Sequence, residues 1–123
     1  MLFADTLAET LHNEKKYHEA ESLYIIALNA FPNKAEIFIN YSALLIDTGR
    51  AEDAKKYLTK AKSLIMTNSK RCEWFNNMGV ACHHQKQTQC ALENLNQAVK
   101  GCPDNPVFKN NLQAINHYTI NSQ

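Results

Sequence analysis

The chain has 123 residues, 45% of them apolar, enough for one compact domain, and its 13 basic and 12 acidic residues leave a net charge of +1. So balanced a chain has no global field to draw it to nucleic acid or to a membrane surface, and no apolar run approaches the roughly eighteen residues of a spanning helix. Met1-Leu2-Phe3-Ala4 runs straight into Asp5 and Glu9 without a basic segment, which argues against a secretory signal and makes the cytoplasm the expected compartment.

Taken in order, the pattern is helical throughout. A first helix is expected from about Leu2 to Asn13, with Phe3, Leu7, Ala8 and Leu11 apolar at helical spacing. A second runs from about Tyr17 to Ala30 and ends at Phe31-Pro32, because proline cannot continue the hydrogen-bond ladder. The third spans about Ala35 to Asp47 and closes on Thr48-Gly49-Arg50, where Gly49 suits a left-handed helix end. Lys15 and Lys86 stand at the equivalent places and must accept the same geometry at a modest strain. The fourth is expected over about Glu52 to Met66, with the polar run from Thr67 to Arg71 as an insertion. The fifth covers about Glu73 to His84 and the sixth about Thr88 to Gly101, with Thr88 as its N-cap. Asn105 then caps a seventh helix that has Pro106 at its first position. Phe108, Leu112 and Ile115 give that helix one apolar stripe, and the residues from Thr119 to Gln123 show no pattern and are expected to fray.

These segments superpose at a fixed period. Ala20 and Ala54 are 34 residues apart, as are Ala27 and Ala61, and Ala91 and Ala98 follow 37 further on, one period plus three inserted residues. In the same register Leu7, Tyr41 and Met78 coincide, then Ala8, Ser42 and Gly79, then Tyr24, Leu58 and Leu95, while Pro32 and Pro103 close two of the copies. The order of sizes from Trp74 through Gly79, Ala91, Leu95 and Ala98 to Pro103 resembles the tetratricopeptide repeat, a 34-residue helix-turn-helix unit. Small residues at Ala8, Ser42 and Gly79 allow two helix axes to approach closely, and stacked neighbours bury what one pair cannot. The resemblance implies an all-α, right-handed superhelical solenoid of antiparallel helix pairs. Its single domain would cover residues 1–118, with repeats at about 1–34, 35–68 and 72–105, a capping helix at 106–118 and a frayed tail at 119–123.

Arrays of this family line an inner groove mainly with the first helix of each pair. Carried onto this chain, the groove slots include Asp5, Thr6, Glu9 and His12, then Glu36, Ile39, Asn40, Ile46 and Asp47, then Glu73, Asn76, Asn77, Val80 and His83, and Asn111, His117 and Tyr118 from the last helix. The slots hold five carboxylates and no lysine or arginine. Chaperone-binding members of the family clamp an acidic C-terminal peptide with lysine, arginine and asparagine. Here Asp5, Glu9 and Glu73 stand at such places and would repel a peptide carboxylate by roughly 1 kcal/mol per close, partly screened pair. An acidic chaperone tail is therefore not the expected ligand. Asn40, Asn77 and Asn111 share one slot of successive first helices, and carboxamides pair with a peptide's N–H and C=O alike. The expected peptide-binding residues are Asp5, Glu9, Glu36, Asn40, Glu73, Asn77 and Asn111. The acidic groove favours a ligand with lysine or arginine, and Ile39, Ile46, Val80 and Tyr118 offer apolar anchors.

Cys72, Cys82, Cys90 and Cys102 lie at spacings that match no zinc or redox motif. If the third repeat is a hairpin, Cys72 can meet Cys102 and Cys82 can meet Cys90, but in a reducing compartment free thiols are expected. His12, His83 and His117 share a slot, too far apart on neighbouring helices for one zinc ion. No phosphate loop, nucleophile elbow or HExxH motif is present. The sequence thus reads as a non-catalytic protein-interaction scaffold with no cofactor or metal. The alternatives are an assembly subunit that self-associates or docks through its ends or outer face, and a substrate-recruiting part of a larger enzyme.

Overall fold

The computed structural model of the chain describes residues 4–65 and 67–121. The described residues form an all-α helical repeat of seven helices: α1 (Ala4–Asn13), α2 (Tyr17–Ala30), α3 (Ala35–Asp47), α4 (Ala51–Ala61), α5 (Asn68–His84), α6 (Thr88–Gly101) and α7 (Pro106–Asn121), with a 3-10 turn at Lys62–Leu64. Two compact units form, Met1–Leu64 with α1 to α4 and Ile65–Gln123 with α5 to α7. No helix among the described residues is long and apolar enough to cross a membrane.

Each pair turns in the same way. Lys15, Gly49 and Lys86 adopt positive φ of 63°, 81° and 61°. The following N–H reaches back five residues in every case: Lys16 to the Leu11 carbonyl at 2.9 Å, Arg50 to Leu45 at 2.7 Å and Gln87 to Cys82 at 2.9 Å. The positive-φ residues themselves donate to His12, Ile46 and His83. This double closure satisfies helix-end carbonyls that would otherwise lack donors.

In the first unit the expected small and large residues form the core. Ala8, Ala20, Ala54, Ala61, Tyr24 and Leu58 are fully buried, and α3 is buried on almost every face. Leu7, by contrast, is 50% exposed although its register partner Tyr41 is buried. A polar knot ties α2 to α3 and to the turn after it. The Tyr41 hydroxyl and the Arg50 guanidinium both donate to Glu21 Oε2, at 2.6 and 2.8 Å. The hydrogen bond from Arg50 holds the Glu21 carboxyl below its ordinary range against the opposing effect of burial. Burial, and then the carboxylate it donates to, pushes the Tyr41 phenol up.

In the second unit Cys82, Ala91, Leu95 and Ile115 pack as one buried cluster, and Cys72, Ala98 and Phe108 as another. Gly79 meets α6 so closely that a Cβ there would stand 2.7 Å from Leu95 Cγ. Asn105 caps α7 as expected, accepting from the Val107 and Phe108 N–H groups at 2.9 and 3.2 Å.

The structure corrects the sequence reading at several places. The run Asn68–Arg71 is helical, not an inserted loop: Thr67 accepts from the Lys70 N–H at 3.2 Å and starts α5 a full turn before Glu73. The three extra residues of the period therefore lengthen a helix. The fourth helix stops at Ala61 and tightens into the 3-10 turn, and Met66 lies outside the described residues. Gln87, which makes no side-chain capping bond, precedes α6 where Thr88 was expected as the cap. The last helix continues through Thr119, whose hydroxyl donates to the Ile115 carbonyl, to Asn121. Leu2, Phe3, Ser122 and Gln123 fall outside the described residues. The cysteines are not free thiols: Cys72 is bridged to Cys102 and Cys82 to Cys90. Antiparallel packing brings these Cα atoms to 6.2 and 5.8 Å, within the roughly 4.4–6.8 Å a disulfide spans.

Candidate functional site

The residues expected to line a groove come from the first helix of each pair and from α7. In the first unit these are α1 and α3, joined near both ends. Lys34 Nζ lies 3.3 Å from Asp5 Oδ2 at one end, and His12 Nε2 lies 2.7 Å from Asp47 Oδ2 at the other. Asp5 is thereby mostly covered, with 13% of its side chain exposed, while Glu9 one turn on is exposed and has no ion-pair partner among the described residues. Glu36 and Asn40 are half-buried on α3. Between them Tyr24 is fully buried with no hydrogen-bond partner for its hydroxyl among the described residues. Burial first, then the charges of Glu9 and Asp5, push its phenol up. Glu9 and Asp47 are exposed carboxylates here, Asp47 paired with His12, and the field of Glu9 reaches the Tyr24 hydroxyl.

Two of the expected anchors are corrected. Ile39 and Ile46 are core residues, 1% and 5% exposed, and offer nothing to a ligand. Their slots follow helical spacing, but α3 is packed on so many sides that spacing alone misplaces them.

In the second unit α5 and α7 run side by side. The Asn111 carboxamide donates to Asn76 Oδ1 at 2.9 Å, and Asn76 donates to Asn77 Oδ1 at 3.4 Å. Asn76 is buried and uses its amide to hold the two helices together, so Asn111 spends one donor internally. Asn77 stays half-buried at the surface of this network. Glu73 lies 3.0 Å from Lys70 one turn earlier on the same helix, a contact created by the added turn of α5. Val80 packs against the Cys82 cluster, and Tyr118, 51% exposed, meets His83 edge-on at 5.2 Å. No group of three or more His, Cys, Asp or Glu residues among the described ones could hold a metal.

Sequence reasoning missed the basic partners. Lys34 and Lys70 lie outside the groove slots yet reach the acids in them, and Lys34 is the residue just before α3, whose place is visible once the helix start is known.

A model for the TT21 fifth ARM repeats domain matches residues 3–103. Its description speaks of ARM repeats, whereas the helix pairs here recur at the 34-residue period and superpose on tetratricopeptide-repeat (TPR) domains. The NMR structure of the first TPR domain of human RPAP3 aligns with a TM-score of 0.84 and 18% identity over 98% of this chain and 92% of that one. The first TPR of Spaghetti (RPAP3) bound to the HSP90 peptide SRMEEVD gives 0.81 and 18% over 97% and 92%. The second TPR domain of human RPAP3, in complex with the HSP70 peptide SGPTIEEVD, gives 0.77 and 20% over 94% and 93%. No curated protein sequence matches this chain.

Proposed function

We propose that this chain, which belongs to the TT21 fifth ARM repeats domain family, is a non-catalytic module that captures peptide segments of a partner protein in the cytoplasm. The observation that supports the reading most is the fold itself, superposable on TPR domains solved with a bound peptide. Within the first unit the residues that would serve a ligand are Asp5, Glu9, Glu36 and Asn40, and within the second they are Glu73, Asn77 and Asn111. The chemistry of those residues favours a ligand different from the acidic peptides of the neighbours. Exposed Glu9 would attract lysine or arginine and repel a C-terminal carboxylate, while Asn40 and Asn77 would pair with backbone amides.

Fluorescence anisotropy with labelled peptides tests this. Lysine- and arginine-containing peptides should bind, SRMEEVD should not, and Glu9→Lys or Asn77→Ala should each weaken binding by about five- to tenfold, the worth of about 1 kcal/mol. Asp5→Lys is less clean because it also removes the partner of Lys34. Capture unaffected by both Glu9→Lys and Asn77→Ala would sink the assignment.

One observation favours a second reading, an assembly subunit. Ile25 and Ile26 are 45% and 43% exposed on α2, where the register partners are Thr59 and Lys60 in one repeat and Asn96 and Gln97 in the other. Light-scattering mass over a hundredfold concentration range, with Ile25→Lys beside the unaltered chain, separates the two.

A further inference from the structure

We infer that the Cys72–Cys102 bridge is an exchange site for small anionic disulfides of the glutathione class, with Cys102 as the sulfur that reacts first.

Three features of the second unit point to this. The two sulfurs differ in access: Cys72 is 1% exposed, whereas Cys102, just past the end of α6, is only half-buried. Cys102 also has a donor, since the Asn68 carboxamide, while bonded to the Gly101 carbonyl at 2.9 Å, lies 3.7 Å from Cys102 Sγ. An N–H aimed at sulfur favours the thiolate, the form that attacks and the better leaving group. Finally, a cavity of about 300 Å³ adjoins the bridge at its Cys72 side, walled by Cys72, Gly101, Phe75 and the cations of Arg71 and Lys100; Cys102 does not line it, but Asn68, which lies 3.7 Å from the Cys102 sulfur, does. Both cationic residues are exposed, and no acidic residue lines the cavity. It suits a small molecule bearing carboxylates, which the two cations would hold beside the bridge. The Cys82–Cys90 bridge is an internal comparison. Its half-buried Cys90 also has an asparagine neighbour, Asn94 at 3.5 Å, but the bridge does not line the cavity.

The chemistry balances as a two-step exchange. In the reduced chain the Cys102 thiolate attacks one sulfur of the small disulfide, a bond forms between them, and one thiolate leaves with the electron pair of the broken S–S bond. Deprotonated Cys72 then attacks Cys102 and expels the second thiolate. Two protein thiols are oxidised, one small disulfide is reduced to two thiols, and those thiols take up the two protons. Excess small thiol runs the same steps backwards and opens the clasp between the start of α5 and the end of α6.

The test uses the full 123-residue chain, reduced and then exposed to glutathione disulfide, quenched with iodoacetamide and mapped by peptide mass. Cys102 should form the adduct at least about threefold faster than Cys90 and at least about tenfold faster than Cys72. Cys72→Ser should trap the adduct on Cys102. Arg71→Gln with Lys100→Gln should slow reaction with glutathione disulfide by about threefold or more and leave reaction with neutral hydroxyethyl disulfide unchanged. Since Cys72→Ser alters a buried position, the rate comparison in the unsubstituted chain stands by itself. Equal rates at Cys72 and Cys102 would overturn the proposal, as would no bridge formation under excess glutathione disulfide. A charge-neutralised chain that reacts with glutathione disulfide as fast as before would also overturn it. None of these outcomes depends on whether the chain binds peptides.

Discussion

Gly79→Ala isolates the closest helix approach in the chain. The added Cβ would stand 2.7 Å from Leu95 Cγ, 3.2 Å from Leu95 Cδ2 and 3.1 Å from the Ala91 carbonyl oxygen, where carbon atoms prefer about 3.5–4.0 Å. Leu95 is fully buried within its cluster and the Ala91 oxygen is helix backbone, so neither neighbour gives way freely. Overpacking of this kind costs about 1–3 kcal/mol. Against it stands the gain of about 1 kcal/mol from replacing glycine inside a helix, which leaves a net loss of about 1 kcal/mol. Urea unfolding followed by far-ultraviolet circular dichroism measures it. The decisive comparison is the same change in a Leu95→Ala background, where both Leu95 contacts are gone and only the 3.1 Å approach to the Ala91 oxygen remains, so the loss should shrink by about 1 kcal/mol or more. Gly79→Ala that stabilises the chain with Leu95 in place would refute the close-packing reasoning.

Three further outcomes follow from the geometry. Lys15→Gly and Lys86→Gly should each raise stability by about 1 kcal/mol, because both lysines hold a left-handed backbone, and Gly49→Ala should lower it by a similar amount; thermal melts read all three. Asn105→Ala removes the acceptor of two N–H groups and should cost about 1 kcal/mol, with faster amide exchange confined to the first turn of α7. The folded Glu21 carboxyl lies below its unfolded value near 4.5, so its stabilisation is complete above about pH 4.5 and is lost as pH falls through the lowered folded value. The urea midpoint of Glu21→Gln should therefore drop less between about pH 6 and pH 3 than that of the unsubstituted chain, and parallel curves would rule out the Arg50 contact as the cause.

Much of the scaffold was legible in the sequence because it follows from spacing along one chain. The 34-residue recurrence of small residues at Ala20, Ala54 and Ala91 predicts buried helix contacts, and all three are fully buried. The left-handed turns at Lys15 and Lys86 were legible from Gly49, since a repeat copies backbone geometry even where it does not copy the residue. Asn105-Pro106 marked the start of α7 because both residue types satisfy the free N–H groups of a first turn.

Only tertiary structure decided which surface residues meet. Polar residues from Thr67 to Arg71 serve a loop or a capped helical turn equally well, and the choice fell to the helix once Thr67 could cap it. Ile39 and Ile46 occupy groove slots by period but lie in the core, because α3 is covered on faces that a repeat pattern treats as open. Lys34 reaches Asp5 across 29 residues and Asn111 reaches Asn76 across 35. Such pairs depend on where flexible side chains extend between packed helices, which no periodicity encodes. The cysteine pairs belong with them: spacing allowed both bridges, and the antiparallel approach of α5 and α6 brought the sulfurs together. Repetition along the chain determined the helices and their turns, whereas the charges, carboxamides and sulfurs available to a ligand were settled by packing between them.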